Sequence, residues 1–410
     1  MRILWFCGNS GRYEYDIKLI STADGTWISS LQEKLISYDH IKLGLVFQSI
    51  DNKKETLGKT TYYTIKKCPK WNKLFPQKEE LYFLNQAEKI INDFNPDIIH
   101  VFGSETELGL IYRITQTPII LHIQGFIGSV INAWYPPYYN KCYNDLKKLI
   151  TNPLNLLNIL HLPYRFNYIT KREQEIFEHI NNFFGRTEWD KRIAKLLNPE
   201  GEYYYCSEMI RSIFYNNEKK WEYNKNNYIT IISTINESTY KGQDVILKTA
   251  KLLKNLGYII NWKICGISNI EWATQQTNIK YIDVNVELLG KVSSETIKNL
   301  LLQCNCYVHP SYIENSPNSI CEAQLIGVPV ISCNVGGISS IINHNIDGIL
   351  VPSNDIYMLA SHIIEIYNNK SLATFIGNNG YKVAKNRHKP ENIVSDLLKS
   401  YNHIIEKSKL

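Results

Sequence analysis

The chain has 410 residues, of which 44% are hydrophobic and 20% charged, a composition typical of globular proteins and not of disordered ones. Because one hydrophobic core does not extend over so long a chain, we expect two domains of about 200 residues each. The net charge of +6 is mild and the basic residues are dispersed, which argues against nucleic-acid binding. Attraction to an anionic cofactor or to anionic lipids of the inner membrane leaflet fits this charge better.

The sequence predicts a cytoplasmic protein. Its nine cysteines show no CxxC pair, which favours reduced, buried side chains. The chain enters a strand directly and breaks at Gly8, which leaves no room for the apolar core of a signal peptide. His122 and Gln124 interrupt the most apolar neighbourhood, so no segment reaches the ~20 apolar residues of a membrane span.

Strand and helix patterns alternate along the chain, as in an α/β fold with parallel sheets. In the first half, strands are predicted at 1–6, 41–47, 62–65, 98–102, 118–125 and 203–206, and helices at 28–36 and 79–94. In the second half, strands are predicted at 228–233, 262–265 and 306–308, and helices at 243–256 and 295–302. No G-x-G-x-x-G follows the first strand, which argues against a dinucleotide-dependent oxidoreductase. The polar segment 215–227 is predicted to link two domains.

Residues 126–190 offer more than one interpretation. The part from 126 to 184 is rich in aromatic and basic residues: Trp134, Tyr135, Tyr138, Tyr139, Tyr143, Tyr164, Arg165, Phe166, Tyr168, Lys171 and Arg172. Such a segment suits sugar stacking or a rim that rests on lipid headgroups, and an ordinary core explains it equally well. Arg186 and Asp190 are four residues apart, a spacing at which side chains can bridge along one helix face, and both a structural role and a role on the donor side are left open for them.

The most informative stretch is 307–337, which is typical of a strand, a polar loop, a helix and a second strand. Turn-forming residues from 315 to 318 predict a shaped loop at the carboxyl end of a strand, where α/β sheets bind ligands. Glu314 on this loop is placed to accept hydrogen bonds from a polyhydroxylated ligand. Ser319 and Glu322 have capping-box spacing, and a helix that begins there would seat a phosphate. A capping role alone is the simpler interpretation of Glu322.

This stretch resembles the signature of the retaining nucleotide-sugar glycosyltransferases of family 4, which have the GT-B architecture of two facing Rossmann-like domains. The shared residues are Pro310-Ser311, Glu314, Glu322, Ala323, Gly327-Val328-Pro329-Val330 and Gly336-Gly337. Most members have a Gly-Phe-Gly-like turn after the first glutamate. This chain has Asn315-Ser316-Pro317-Asn318 instead, and because proline lacks an N–H, one backbone donor to the sugar is expected to be missing. The loop is similar to that of an E-N-S-P-N-S subgroup.

The resemblance implies a role for each site residue. Glu314 is expected to hold the sugar hydroxyls and Glu322 the ribose, while Lys241 and the helix from Ser319 meet the diphosphate. Further donor contacts are expected at Gly25, Asn315, Ser316, Asn318, Ser319, Ile320, Gly266 and Val292. A simple helix-entry turn explains Gly25 equally well. No metal or other cofactor is expected, because no Asp-x-Asp or histidine cluster stands at ligand spacing.

Two residues, His122 and Gln124, are candidates for the position beside the reacting sugar. Many relatives have a histidine where this chain has Gln124, and His122 lies one pleat earlier on the same strand face. Either side chain is expected to reach the sugar, with His122 as the candidate catalytic residue. A histidine on a buried strand is, however, more often a core residue.

The domain organisation implied by the resemblance is an acceptor-side domain at 1–215 and a nucleotide-sugar domain at 216–387. A terminal helix at about 388–410 is expected to pack back on the first domain. The implied function is retaining transfer of a sugar from a nucleoside diphosphate sugar to a glycan or lipid-linked glycan, as in bacterial surface polysaccharide synthesis, with peripheral contact at the inner membrane face. The alternatives are a GT-B epimerase or phosphorylase, and a catalytically silent subunit that binds nucleotide sugar. The silent subunit stays an alternative because Thr234-Ile235-Asn236 stands where relatives often carry an arginine and because the glycine turn after Glu314 is altered.

Overall fold

The computed structural model describes residues 1–17, 26–68, 75–137 and 155–409. Among these residues, one eight-stranded sheet has the order β3-β4-β2-β1-β5-β6-β7-β8, and one six-stranded sheet has the order β11-β10-β9-β12-β13-β14. The strands of the first sheet are β1 Arg2–Phe6, β2 Lys42–Ser49, β3 Lys53–Leu57, β4 Thr60–Lys66, β5 Ile98–Phe102, β6 Ile119–His122, β7 Asn182–Gly185 and β8 Glu202–Tyr205. Those of the second are β9 Ile229–Thr234, β10 Ile260–Cys265, β11 Val286–Gly290, β12 Cys306–His309, β13 Val330–Cys333 and β14 Ile349–Val351.

Helices flank both sheets. They are α1 Tyr13–Asp16, α2 Trp27–Leu35, α3 Pro76–Phe94, α4 Ile127–Asn132, α5 Asn155–His179, α6 Glu188–Leu197, α7 Ser212–Tyr215, α8 Gln243–Asn255, α9 Glu271–Thr277, α10 Ser294–Gln303, α11 Asn318–Ile326, α12 Ile356–Asn368, α13 Lys370–Arg387 and α14 Pro390–Lys407. Within the described ranges, no helix is both long and apolar enough to cross a membrane.

The first sheet is buried on both faces, which explains its continuous apolar runs. Ile3 and Trp5 of β1 enter the core on one face, while Leu4 and Phe6 enter the core on the other. Neighbouring strands pair in parallel, except that β3 runs antiparallel to β4. This hairpin was not predicted, because the charged, largely exposed β3 lacks the apolar run on which the other predictions rest.

The second sheet brings two loops to one edge. Strand β12 lies parallel to β9, so the turn after β9 and the loop after β12 leave the sheet side by side. Gly242 has a φ of +75°, and a Cβ there would lie 2.1 Å from the carbonyl oxygen of Pro310. A glycine is therefore required for the turn that carries Lys241 to contact the loop that carries Glu314.

The chain crosses between the domains twice. Phe214 of α7 belongs to the core of the second domain, although the predicted boundary lies after residue 215. Helix α14 returns to the first domain, where Leu397 and Tyr401 are fully buried in the same core as Trp5. The indole N–H of Trp5 donates to the Tyr401 hydroxyl at 3.2 Å.

Truncation of Leu397 tests the contribution of α14 to stability. We expect Leu397→Ala to lower the free energy of unfolding by about 2–5 kcal/mol, because a fully buried leucine is removed. Urea denaturation measures this loss, with Lys399→Ala on the exposed face of the same helix as the control. Equal stability of the two variants would show that the helix adds nothing to the core.

Candidate functional site

Glu314 and Lys241 form an ion pair at the carboxyl edge of the second sheet. The Lys241 Nζ lies 2.5 Å from Glu314 Oε1, and the two side chains are only 15% and 10% exposed. The same oxygen is 2.9 Å from His309 Nε2 and accepts a hydrogen bond from Ser311 Oγ, also at 2.9 Å. The structure thus brings together the predicted carboxylate and the predicted cation, along with two partners that were not predicted.

The charge of Glu314 follows from these contacts. Burial would raise the pKa of Glu314, but the Lys241 ammonium and the hydrogen bond with His309 outweigh burial and lower this pKa to about 2. Glu314 is therefore a carboxylate at neutral pH. It can accept hydrogen bonds from a ligand, whereas it has no proton to donate as a general acid.

Two glycines hold the main chain of this loop. Gly336 has a φ of +52°, and a Cβ at this position would lie 1.9 Å from the carbonyl oxygen of Glu314. The N–H of Gly337 donates to that same carbonyl at 2.9 Å. The Gly-Gly of the sequence signature thus serves the loop that carries Glu314, because any side chain at residue 336 would displace it.

Asn315 bridges the two domains. Its amide oxygen accepts from the Thr187 hydroxyl at 2.6 Å, and its amide nitrogen donates to Asp190 Oδ2 at 3.1 Å. The amide nitrogen is also 3.4 Å from the main-chain oxygen of Gln124. Beside it, Ser316 donates to Oε1 of Glu208 at 2.5 Å. These two side chains, predicted to contact the donor, are therefore engaged with the first domain.

Asp190 caps a helix and does not bridge to the Arg186 guanidinium along a helix face. Helix α6 begins at Glu188, and Thr187 and Asp190 form its capping box. The two carboxylate oxygens of Asp190 accept from the main-chain N–H groups of Arg186 at 3.0 Å and Thr187 at 3.2 Å. The Arg186 guanidinium instead lies 3.8 Å from Glu208.

Glu322 is not part of a capping box, so the predicted capping box of Ser319 and Glu322 was wrong. Helix α11 begins at Asn318 after Pro317, so Glu322 lies one turn inside it. Its Oε1 accepts two hydrogen bonds from Arg211, at 2.9 and 2.7 Å. Burial raises the pKa of Glu322 even though the Arg211 cation opposes this shift. Arg211 was not predicted, because its place beside α11 depends on the path of the chain between the domains.

His122 is fully buried within the first sheet. Its ring stacks on His100 and meets Trp27 edge to face, with centroids 5.3 and 5.0 Å apart. Burial lowers the pKa of His122 well below its ordinary value, and nearby His100 and Arg186 add to this effect. The imidazole is therefore neutral. Gln124, predicted on the same strand, lies two residues beyond the end of β6, is half-buried and accepts a hydrogen bond from Asn315 through its main-chain oxygen. Which of the two meets a sugar stays a prediction.

The first turn of α11 has fewer free main-chain N–H groups for a phosphate than the sequence predicted. The N–H of Ile320 donates to the carbonyl of Pro317 at 3.1 Å, and the Ile320 side chain is buried in the second core. The amides of Asn318 and Ser319 belong to the first two helical positions, which have no acceptor within the helix. These two amides are the better candidates for an anion.

Three further residues were predicted to contact the donor, and the structure explains two of them, Gly266 and Val292, by packing in the second domain. Gly266 has a φ of +100°, and a Cβ there would lie 2.2 Å from the carbonyl oxygen of Ile235, so a glycine is required by packing alone. Val292 is half-buried against the second core. Gly25 lies outside the described residues, as do Tyr138, Tyr139 and Tyr143 of the aromatic segment. Trp134 of that segment contacts Tyr240 of the second domain, with ring centroids 5.9 Å apart.

Comparisons with known proteins agree with this arrangement. Residues 215–383 match the family Glycosyl transferases group 1. The chain is 28% identical over 171 residues to the capsular polysaccharide biosynthesis glycosyltransferase CapM of Staphylococcus aureus. This alignment covers 41% of the chain and 44% of CapM. The chain thus aligns with less than half the length of that relative.

Solved structures resemble the whole chain. Sucrose-phosphate synthase from Thermosynechococcus elongatus superposes with a TM-score of 0.71 at 15% identity, over 99% of both chains. Anabaena Alr3699/HepE in complex with UDP-glucose superposes with a TM-score of 0.61 at 14% identity, over 98% of this chain and 100% of the other. Together with the two parallel sheets, these neighbours confirm the predicted GT-B fold.

The bridge made by Asn315 is testable with a nearly isosteric change. Asn315→Asp replaces an N–H donor by an oxygen beside the Asp190 carboxylate, so two negative charges would lie about 3 Å apart in a buried site. We expect this variant to lower the midpoint of thermal unfolding and to increase the radius of gyration in small-angle X-ray scattering. Asn343→Asp in the second domain, whose amide nitrogen also donates to an aspartate carboxylate, serves as the control. An unchanged radius of gyration for Asn315→Asp would contradict the bridging role.

Proposed function

We propose that this protein is a retaining glycosyltransferase that moves a sugar from a nucleoside diphosphate sugar to a glycan or lipid-linked glycan acceptor. The observation that carries the proposal is the buried pair of Glu314 and Lys241 on a loop edge that faces the first domain. The group 1 family match over residues 215–383 supports this activity, since it contains both residues.

The two members of the pair have complementary tasks toward such a donor. Lys241 is a compact positive charge that suits a diphosphate, whose negative charge grows as the bond to the sugar breaks. Glu314 is an acceptor that suits sugar hydroxyl groups. Glu314 keeps His309 Nε2 and Ser311 Oγ as hydrogen-bond partners at 2.9 Å while Lys241 also meets the diphosphate, so the buried carboxylate is not left without partners. The amides of Asn318 and Ser319 add to the positive field at the diphosphate, and we expect no metal to be needed.

Glu322 is proposed to hold the ribose. Both hydrogen bonds from Arg211 go to Oε1 of Glu322, which orients the carboxylate and makes Oε2 the expected acceptor for ribose hydroxyls. The hydrogen bonds of Asn315 and Ser316 attach the E-N-S-P-N-S loop to the first domain. They support placing the chain in that subgroup.

The proposed chemistry is a front-face displacement. Glu314 is ionised and already committed to Lys241, so it is suited to hold hydroxyl groups and not to act as a proton shuttle. The leaving phosphate oxygen is then expected to take the proton of the acceptor hydroxyl as the new bond forms. Rules that relate carboxylate separation to stereochemistry in glycoside hydrolases do not apply to this arrangement.

The proposed acceptor belongs to bacterial surface polysaccharide synthesis. The similarity to CapM, a glycosyltransferase of capsular polysaccharide biosynthesis, supports this choice. A lipid-linked acceptor would bring the protein to the inner face of the membrane, and the net charge of +6 suits peripheral contact with anionic lipids there.

Removal of the Glu314 carboxylate tests the activity. We expect Glu314→Ala to lose at least 100-fold in kcat for sugar transfer, because the hydroxyl acceptor in the site is gone. Turnover of a panel of UDP-sugars and GDP-mannose, with and without acceptor glycosides, measures this loss. Circular dichroism checks that the variant is folded, and Glu287→Ala, at a polar position on edge strand β11, is the control. Full activity of Glu314→Ala would remove this residue from the site.

Removal of the Lys241 ammonium tests diphosphate binding. We expect Lys241→Ala to weaken UDP or GDP binding by about tenfold, the value of one charge-assisted hydrogen bond. Isothermal titration calorimetry measures the affinity, and Lys251→Ala on the exposed face of α8 is the matched control. Equal affinities for both variants would contradict the assignment of Lys241.

A further inference from the structure

Four large apolar side chains are exposed at the amino end of the second sheet, and we call them the amino-edge patch. Tyr228 directly precedes β9, Ile259 directly precedes β10, Ile282 lies four residues before β11, and Leu256 follows α8 on the way to β10. Because β10 pairs in parallel with both β9 and β11, the amino ends of these strands lie side by side. A cluster of large apolar side chains in contact with water is typical of an interaction surface.

A groove of about 610 Å³ adjoins the amino-edge patch. It lies along β11, the edge strand of the second sheet. Tyr228, Ile259 and Ile282 line this groove together with the polar residues Asn261 and Asn285. The groove therefore has apolar walls and room for side chains that a partner inserts.

Ile282 stands beside this groove on a rigid support. Its side chain is 70% exposed. Asn278 and Asn285, which enclose the segment before β11, each have a left-handed backbone with a φ of +55°. Between them, Val284 is fully buried in the core of the second domain. Since the segment is already ordered, a partner that covers Ile282 would lose little loop entropy on binding.

The charges beside Ile282 favour a second copy of this chain as the partner. Lys280 and Asp283 lie on either side of Ile282, and both are exposed. An anionic lipid surface or a nucleic acid would select basic residues alone. A two-fold axis instead brings two identical surfaces together, so a surface with both signs of charge can be complementary to itself. With the axis beside Ile282, Lys280 of each copy meets Asp283 of the other.

We propose that the amino-edge patch is the interface of a symmetric homodimer, in which Ile282 of each copy enters the groove of the other. This arrangement removes apolar surface of both chains from water at the same time. Lys241 follows β9 and Glu314 follows β12, so the candidate site lies at the opposite, carboxyl end of the sheet. The dimer leaves both clefts open, and the inference does not depend on the proposed function.

Sedimentation equilibrium of the full chain tests the interface. The wild type is expected to reach twice the chain mass of 47.7 kDa at micromolar concentrations. We expect Ile282→Asp to weaken the dimer by about 30-fold or more, because it places a charge at the centre of an apolar contact. Ile346→Asp, the same change at another exposed isoleucine of the second domain, is the matched control and should dimerise like the wild type. Circular dichroism verifies that both variants are folded.

Exchange of the two charges tests the symmetry. Lys280→Asp and Asp283→Lys each place like charges across the axis, so each change alone should weaken the dimer about fivefold. The double variant restores unlike pairs between the copies and should dimerise like the wild type. Absence of this recovery would overturn the two-fold arrangement.

Two further outcomes overturn the dimer. One is a wild-type chain that remains a monomer at every concentration, and the other is an Ile282→Asp variant that dimerises as tightly as the wild type. Flotation with vesicles of phosphatidylglycerol and phosphatidylethanolamine covers the alternative occupant. A monomer that binds these vesicles through Ile282 would assign the amino-edge patch to a lipid surface instead. None of these measurements needs a nucleotide sugar, so a failure of the proposed function would leave their results intact.

Discussion

The amide of Asn315 is the contact on which the rest of the site depends. It is fixed by a hydroxyl donor, Thr187, on one side and a carboxylate acceptor, Asp190, on the other, so only one orientation of the amide satisfies both. Asp190 is in turn held by two main-chain N–H groups at the start of α6. The loop from the second sheet is thereby attached to a rigid helix end of the first domain, and Glu314, one residue earlier, takes its position from this attachment.

Three buried carboxylates around this contact each have a basic partner. Glu314 has Lys241, Glu322 has Arg211 and Glu208 has Arg186. Buried ion pairs contribute little net stability compared with apolar packing, because both charges must leave water. Their concentration at the facing sheet edges is therefore better explained by ligand binding, in which a charged or hydroxylated substrate exchanges partners with groups that are already dehydrated.

The sequence, through its residue patterns and its family resemblance, determined the α/β elements, the two-domain GT-B fold and the choice of a loop carboxylate and a turn lysine as residues of one site. The period of apolar residues and the turn formers at strand ends are local features of the sequence. The signature around Glu314 has fixed spacing, so it too can be recognised without tertiary information. The hairpin of β3 and β4 was not predicted, because an exposed, charged edge strand has no apolar run in its sequence. The N-cap of α11 was misplaced by two residues, since Pro317 holds this position where Ser319 was expected.

Only the tertiary structure decided what the polar side chains contact. Asn315 and Ser316 bond to residues more than 100 positions away, as do Glu322 with Arg211 and Tyr401 with His100. Such partners are selected by the path of the chain between domains and by the return of α14, which no local pattern encodes. The contacts with Lys241 and His309 that keep Glu314 ionised, and the burial that lowers the pKa of His122, exist only after both sheets and their covering helices have packed.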